Sequence, residues 1–247
     1  MAVQNFIGLG VYVGGFDASG NAKAFDAPNV TTAALDTTSF NDEWTSSIGG
    51  LKSIDWSGDL MQDFDADKVD QLVGLATLGT AQPITLAPAG KTGGAVAYSF
   101  NATQLTYTPI ESEAGGLAMA KVSGKGTGAA IRGTLMNAPG TPITTTGAGA
   151  TARQLGAIPA GSKMYGALHV IAASGTSPTL DVVVQSDDSG AMSSPTSRMV
   201  FAQATGITSE WLPLAGVITD DYWRASITVG GTDPSFSYVL VLGIAAN

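Results

Sequence analysis

A chain of 247 residues is long enough for one large or two ordinary domains, each with its own core. It has no cysteine and a single histidine, His169, which excludes disulfides, zinc–thiolate sites, thiol nucleophiles and any site built on two imidazoles. Only 13% of its residues are charged, the net charge is −9 and no Lys/Arg cluster occurs, which excludes a protein that grips nucleic-acid phosphates.

The 32 glycines, with abundant Thr and Ser, predict many short strands joined by tight turns. Sparse surface charge also removes a usual guard against association. Residues 1–16 carry no basic residue, and the longest uncharged stretch, 133–152, is too rich in Gly, Pro and Thr to form a membrane helix. The expectation is a protein made in the cytosol that does not insert into a membrane.

In chain order, 3–13 reads as a strand and 17–21 as a turn. Residues 29–50 form a long polar loop without convincing periodicity. A half-buried strand follows at 51–61, with Ile54, Trp56 and Leu60 on one face. Ser53, Asp55, Ser57 and Asp59 lie on the other, a small-residue and acidic face. Val69, Leu72, Val73 and Ala76 repeat at helical spacing, which predicts a helix over about 65–79, capped by Asp65 or Asp67 and ended by Gly79. Strands are expected at 95–102, 104–110, 117–123 and 129–136.

The stretch Asn137-Ala-Pro-Gly-Thr-Pro-Ile-Thr-Thr-Thr-Gly-Ala-Gly-Ala150 has no apolar face and reads as a linker. It divides the chain into 1–138, a linker at 139–150 and a second domain at 151–247. In that second domain, turn signals recur about every ten residues, the pattern of an all-β sandwich. Its expected strands are 164–172, 179–186, 198–204, 210–214, 222–229 and 236–244, with turns at 175–178, 187–190 and 230–234.

Signals for chemistry are weak. Asp63, Asp65 and Asp67 space like the start of a calcium loop, but Lys68 and Gly74 stand where such a loop needs Gly and Glu. The run Ser123-Gly-Lys-Gly-Thr-Gly128 lacks the first glycine of a phosphate loop, Met119 holding that position. His169 reads as an ordinary polar-face strand residue, and Asp187 and Asp188 as a charged turn tip. Trp56 and Trp223 fall at apolar parity and read as core, whereas Trp44 lies beside Phe40 in the polar loop, where exposed aromatics suit insertion into a partner. No catalytic, metal or cofactor site follows.

Taken in order, these elements make residues 1–137 similar to the tail-tube (major tail) proteins of long-tailed bacteriophages. The likeness is carried by the turn Asp17-Ala-Ser-Gly-Asn21, the loop Asn29-Val-Thr-Thr-Ala-Ala-Leu-Asp-Thr-Thr38 and the strand Gly49-Gly-Leu-Lys-Ser-Ile-Asp-Trp-Ser-Gly58. It continues through the single helix, Tyr98-Ser-Phe-Asn-Ala-Thr-Gln-Leu105 and the hairpin opening Leu117-Ala-Met-Ala-Lys-Val-Ser-Gly-Lys-Gly126.

The resemblance implies a mainly β fold: a pair of packed sheets with one flanking helix, followed by the sandwich on the exterior of a tube. It implies hexameric rings whose inner sheets form one barrel, stacked through the long loop, with DNA passing through the lumen without specific binding. Carried across, Leu35, Asp36, Phe40, Asp42, Glu43 and Trp44 become inter-ring contacts, and Ser53, Asp55, Ser57 and Asp59 lumen-facing candidates. Expected partners are copies of the chain itself and tape-measure, tail-tip and terminator proteins, all in the virion. The rival readings are a capsid or tail decoration protein and a carbohydrate-binding virion module using an exposed aromatic such as Trp211.

Overall fold

The computed structural model describes residues 8–41 and 43–246, and over these the chain is mainly β. The strands are β1 (Gly10–Val13), β2 (Phe16–Asp17), β3 (Ala22–Asp36), β4 (Ser47–Met61), β5 (Ala81–Ala87), β6 (Val96–Thr108) and β7 (Met119–Leu135). The second half adds β8 (Gly147–Ala148), β9 (Arg153–Gln154), β10 (Ser162–Asp187), β11 (Thr196–Val200), β12 (Thr208–Ala215) and β13 (Tyr222–Ala246). Every strand pairing among the described residues is antiparallel. Of the expected strand at 3–13, residues 3–7 lie outside the described residues.

Alternation along β4 sets the first core. Ile54, Trp56 and Leu60 are buried with Phe16, Ile84, Phe100 and Val122, while Asp55, Ser57 and Asp59 face outward. Before β3, Asp17 accepts a hydrogen bond from the Ser19 amide, making the expected turn at 17–21 a single 3-10 turn.

The helix expected over 65–79 is mostly absent. Only α1 (Val69–Leu72) is α-helical, and a 3-10 turn follows at Leu75–Thr77. Asp67 takes a left-handed backbone conformation and Lys68 occupies the N-cap without a side-chain bond, so neither aspartate caps the helix. Gly74 ends it, because its backbone turns so tightly that a Cβ would fall 1.8 Å from the Asp70 carbonyl oxygen. Val69 and Val73 still bury against the first core, so the apolar spacing marks real contacts on a much shorter element.

Several expected breaks are bulges inside longer strands. The expected strands at 95–102 and 104–110 are one strand, β6, whose pairing to β7 shifts register between Phe100 and Ala102 and between Gln104 and Thr106. The segments at 117–123 and 129–136 are likewise joined in β7. A bulge breaks the period of two without ending the ladder. The same holds for the expected turns at 175–178 and 230–234. These lie opposite each other in the 26-residue β10 and the 25-residue β13, which pair from Ser162↔Ala246 to Asp187↔Tyr222. Gly175 and Gly231 both have positive φ there, and a Cβ on either would sit 2.7 Å from a carbonyl oxygen of the facing strand. Paired bulges at this point re-aim both strands together, as at the corner of a sandwich.

The second core gathers Trp223, Phe236, Tyr238, Phe201 and Met164 between β10, β13 and the loop after β11. Residues 139–150 run along β13: Ile143 bridges to Phe236, β8 pairs with Ser226 and Ile227, and the Tyr238 hydroxyl donates to the Gly149 carbonyl. A third cluster joins the halves, with Tyr12, Ile131 and Leu135 packed on Tyr165, Ala167, Val239 and Val241. There β13 pairs with β7 at Val241↔Leu135 and Leu242↔Thr134. Gly133 and Gly243 make this crossing possible, since a Cβ on Gly243 would lie 2.9 Å from the Gly133 Cα.

Candidate assembly surfaces

The polar stretch expected as a loop over 29–50 is mostly a two-stranded ribbon. Its β-branched residues favour extended backbone, and β3 pairs with β4 from Ala22↔Leu60 out to Asp36↔Ser47. Pairing of β4 with β7 begins only at Asp55, so among the described residues the ribbon beyond Asn29 and Asp55 has no third strand. Pro28, which cannot donate to a ladder, sits at the register shift between Asp26 and Asn29 where the ribbon leaves the body.

On this arm, Val30, Leu35, Ile48 and Leu51 are all exposed, with Leu35 directly across from Ile48. The tip is closed by a Thr37 amide bond to the Ser46 carbonyl and by Asp36, which accepts from the Thr38 amide at 2.8 Å. The Thr38 hydroxyl, which also donates to this carboxylate, and then the Thr38 amide hold the Asp36 carboxyl below its ordinary range. Phe40 is wholly exposed and Trp44 is 85% exposed. Leu35, Asp36, Phe40, Glu43 and Trp44 therefore share one solvent-facing arm end, while Asp42 lies outside the described residues. An isolated two-stranded ribbon is at best marginally stable in water, and exposed aromatics at its end are the kind of side chain that dominates protein–protein contacts.

Ser53, Asp55, Ser57 and Asp59 line up along the outward face of β4, as the alternation predicts. The face is less acidic than β4 alone suggests. Across β7, Lys125 lies 2.5 Å from Asp55, and Lys121 lies 4.0 Å from Asp59 and 3.6 Å from Glu111. Hydroxyl pairs fill the gaps, Thr31 with Ser53 at 2.8 Å and Thr106 with Ser123 at 2.6 Å. The two lysines sit four residues apart on one strand face, a spacing readable once β7 is known to be continuous.

A third surface has no counterpart in the sequence reading. Beside the arm base lies an apolar groove of about 690 Å³, walled by Phe25, Ala27, Pro28 and Val30 of β3 and by Leu86, Pro88, Tyr98, Ile131 and Arg132. Phe25 stacks over Trp56 at 5.9 Å, which fixes that wall against the core. The one local sign of it is the Ala-Pro step within a strand pattern.

Elsewhere, His169 departs from the polar-face expectation. It is wholly buried at the junction of the halves, with Nδ1 2.6 Å from the Gly14 carbonyl and Nε2 2.8 Å from the Thr85 hydroxyl. Burial depresses its pKa to about 4, against opposing contributions from the Gly14 carbonyl and the Asp17 charge. Trp56 and Trp223 are core residues as expected, and Trp211 is partly buried, stacked on Tyr165 at 5.4 Å. Among the described residues no group of His, Cys, Asp or Glu could hold a metal ion, and no helix is long and apolar enough to cross a membrane.

No protein-family model matches the chain, and no curated protein does. Among solved structures it is similar to the Dit protein of phage SPP1, described as a paradigm of the hub adsorption apparatus in phages infecting Gram-positive hosts. That likeness covers 96% of this chain and 99% of the other at 10% identity, with a TM-score of 0.36, a score too low to establish a shared fold.

Proposed function

We propose that the chain is a structural virion protein, a tail-tube-type subunit that self-assembles into stacked hexameric rings and forms a conduit for phage DNA. The observation that carries this reading is the arm: a ribbon with no third strand among the described residues, bearing exposed Val30, Leu35, Ile48 and Leu51 and ending in exposed Phe40 and Trp44. Such an element gains its stability from another molecule, and the sequence motifs of residues 1–137 resemble those of tail-tube proteins.

In this reading residues 1–138 build the ring and 151–247 form the exterior sandwich. Leu35, Asp36, Phe40, Asp42, Glu43 and Trp44 make the contacts between rings, and Ser53, Asp55, Ser57 and Asp59 face the lumen. With Asp55 and Asp59 beside lysines, such a wall is polar and near neutral, so DNA slides because the surface offers few charges of either sign, with only weak short-range repulsion. The partners are further copies of the chain, with tape-measure, tail-tip and terminator proteins at the centre and ends. No catalytic step or cofactor belongs to this role.

The test is negative-stain electron microscopy of the purified chain, with and without residues 31–48. Hollow tubes or six-fold rings from the full chain, with stacking lost in the deletion, are the expected result. A dispersed monomer at every concentration, even with tail extract supplied as initiator, would sink the proposal.

A further inference from the structure

The apolar groove beside the arm base needs an occupant, and the arm offers one. Phe25, Pro28, Val30, Tyr98 and Ala130 present an apolar lining. At about 690 Å³ the groove falls within the range of about 300–1,000 Å³ seen for pockets that bury compact, largely apolar ligands. Resting on the self-assembly reading above, we propose that this groove receives the arm tip of a second copy of the chain, with Phe40 and Trp44 inserted and Arg132 facing the tip carboxylates.

Three observations select this occupant. First, the charges match. No Lys or Arg occurs between Lys23 and Lys52, whereas Asp36 and Glu43 stand close to the two aromatics in the sequence. The Arg132 guanidinium has no ion-pair partner among the described residues and stands in the groove lining, where it can meet them. An acidic aromatic tip and an apolar groove with one unpaired guanidinium are complementary.

Second, the chain's own tip cannot reach the groove. Phe25, Ala27, Pro28 and Val30 of the arm base form one groove wall, while the tip lies beyond Asp36, six residues past Val30 along β3. At about 3.3 Å per strand residue the tip stands more than 20 Å away, pointing outward along a paired ribbon that cannot fold back on itself. Third, donor and acceptor are different surfaces of one molecule. Each copy can give its tip to one neighbour and take a tip from another, the heterologous geometry that closes rings or builds open stacks.

The absence of cysteine makes the test clean. Thr45→Cys places a thiol beside Trp44 on the exposed tip, and Ala130→Cys places one in the groove lining. Neither change removes an anchoring side chain. The two variants are mixed in equal amounts, allowed to assemble and mildly oxidised. Disulfide-linked dimers joining Thr45→Cys to Ala130→Cys chains, at several-fold higher yield than in either variant alone, are expected. Arg132→Glu in a cysteine-free background should weaken association about tenfold, with Glu43→Lys on the partner copy restoring part of it.

Assemblies that form but link only tip to tip, or not at all, would overturn the groove as receiver and leave the self-assembly reading standing. A wild-type chain that never assembles removes both. The circular dichroism spectrum of each variant, matched to wild type, separates a lost contact from a lost fold.

Discussion

Acidification should destabilise the folded chain through His169, and replacing that residue should remove the effect. The imidazole sits wholly buried between β1, β5 and β10, where the Gly14 carbonyl can only accept and so must receive the Nδ1 proton. In the neutral form Nε2 then accepts from the Thr85 hydroxyl, which is itself bonded to Ser99 at 2.7 Å. Burial is the main reason the pKa falls from 6.5 to about 4. Above pH 6.5 neither the folded nor the unfolded chain holds the extra proton, and the group contributes no pH dependence. Between 6.5 and 4 the unfolded chain takes up a proton that the folded chain refuses, so folding stability falls as pH falls. The slope is about 1.4 kcal/mol per pH unit, which amounts to about 3 kcal/mol by pH 4. That is a large part of the roughly 5–15 kcal/mol typical of a folded domain.

The comparison is wild type against His169→Gln, which keeps a donor and an acceptor at the site but does not titrate. Urea unfolding is followed by tryptophan fluorescence, since Trp56 and Trp223 are buried, at a dilution where the chain is unassembled and at several pH values from neutral to about 4. Carboxylates elsewhere contribute to both proteins and cancel in the difference. The stability difference should shift by about 3 kcal/mol in favour of the variant as pH falls. A difference that stays flat across this range would show that His169 is protonated in the folded chain or not buried as described, and the reasoning would fail.

Replacing both Phe40 and Trp44 with Ser should change monomer stability by less than about 0.5 kcal/mol, because neither touches the core, while sedimentation shows assembly reduced. Trp56→Ala should cost about 3–5 kcal/mol in urea unfolding, since the ring is 2% exposed and anchors both β4 and Phe25. Gly243→Val should destabilise by about 1–3 kcal/mol or more, because its Cβ must displace the Gly133 backbone where β7 meets β13; a neutral result in thermal melts would mean the crossing is looser than described. Lys125→Ala should change stability by less than about 1 kcal/mol, the pair with Asp55 being half exposed, and salt should make little difference.

The mainly β class, the inward set Ile54, Trp56 and Leu60, the outward set Ser53, Asp55, Ser57 and Asp59, and the exposure of Trp44 were all legible from local pattern. They follow from the two-residue period of a strand and from turn chemistry, which need only near neighbours in the chain. The same local signals misled wherever a bulge imitates a reversal. Gly175 and Gly231 carry turn chemistry, yet they bend two long strands that remain paired. The helix signal at Val69, Leu72 and Val73 reported true burial but could not foresee that Gly74 would leave the helix after one turn. Pairing at a distance decided the rest. Lys125 reaches Asp55 across seventy positions, His169 is enclosed by Gly14 and Thr85 from the other half, and the groove exists only where β3 leaves the sheet beside β5, β6 and β7. These features depend on which strand lies beside which, a choice set by the burial of all faces together and therefore invisible to any single stretch of sequence.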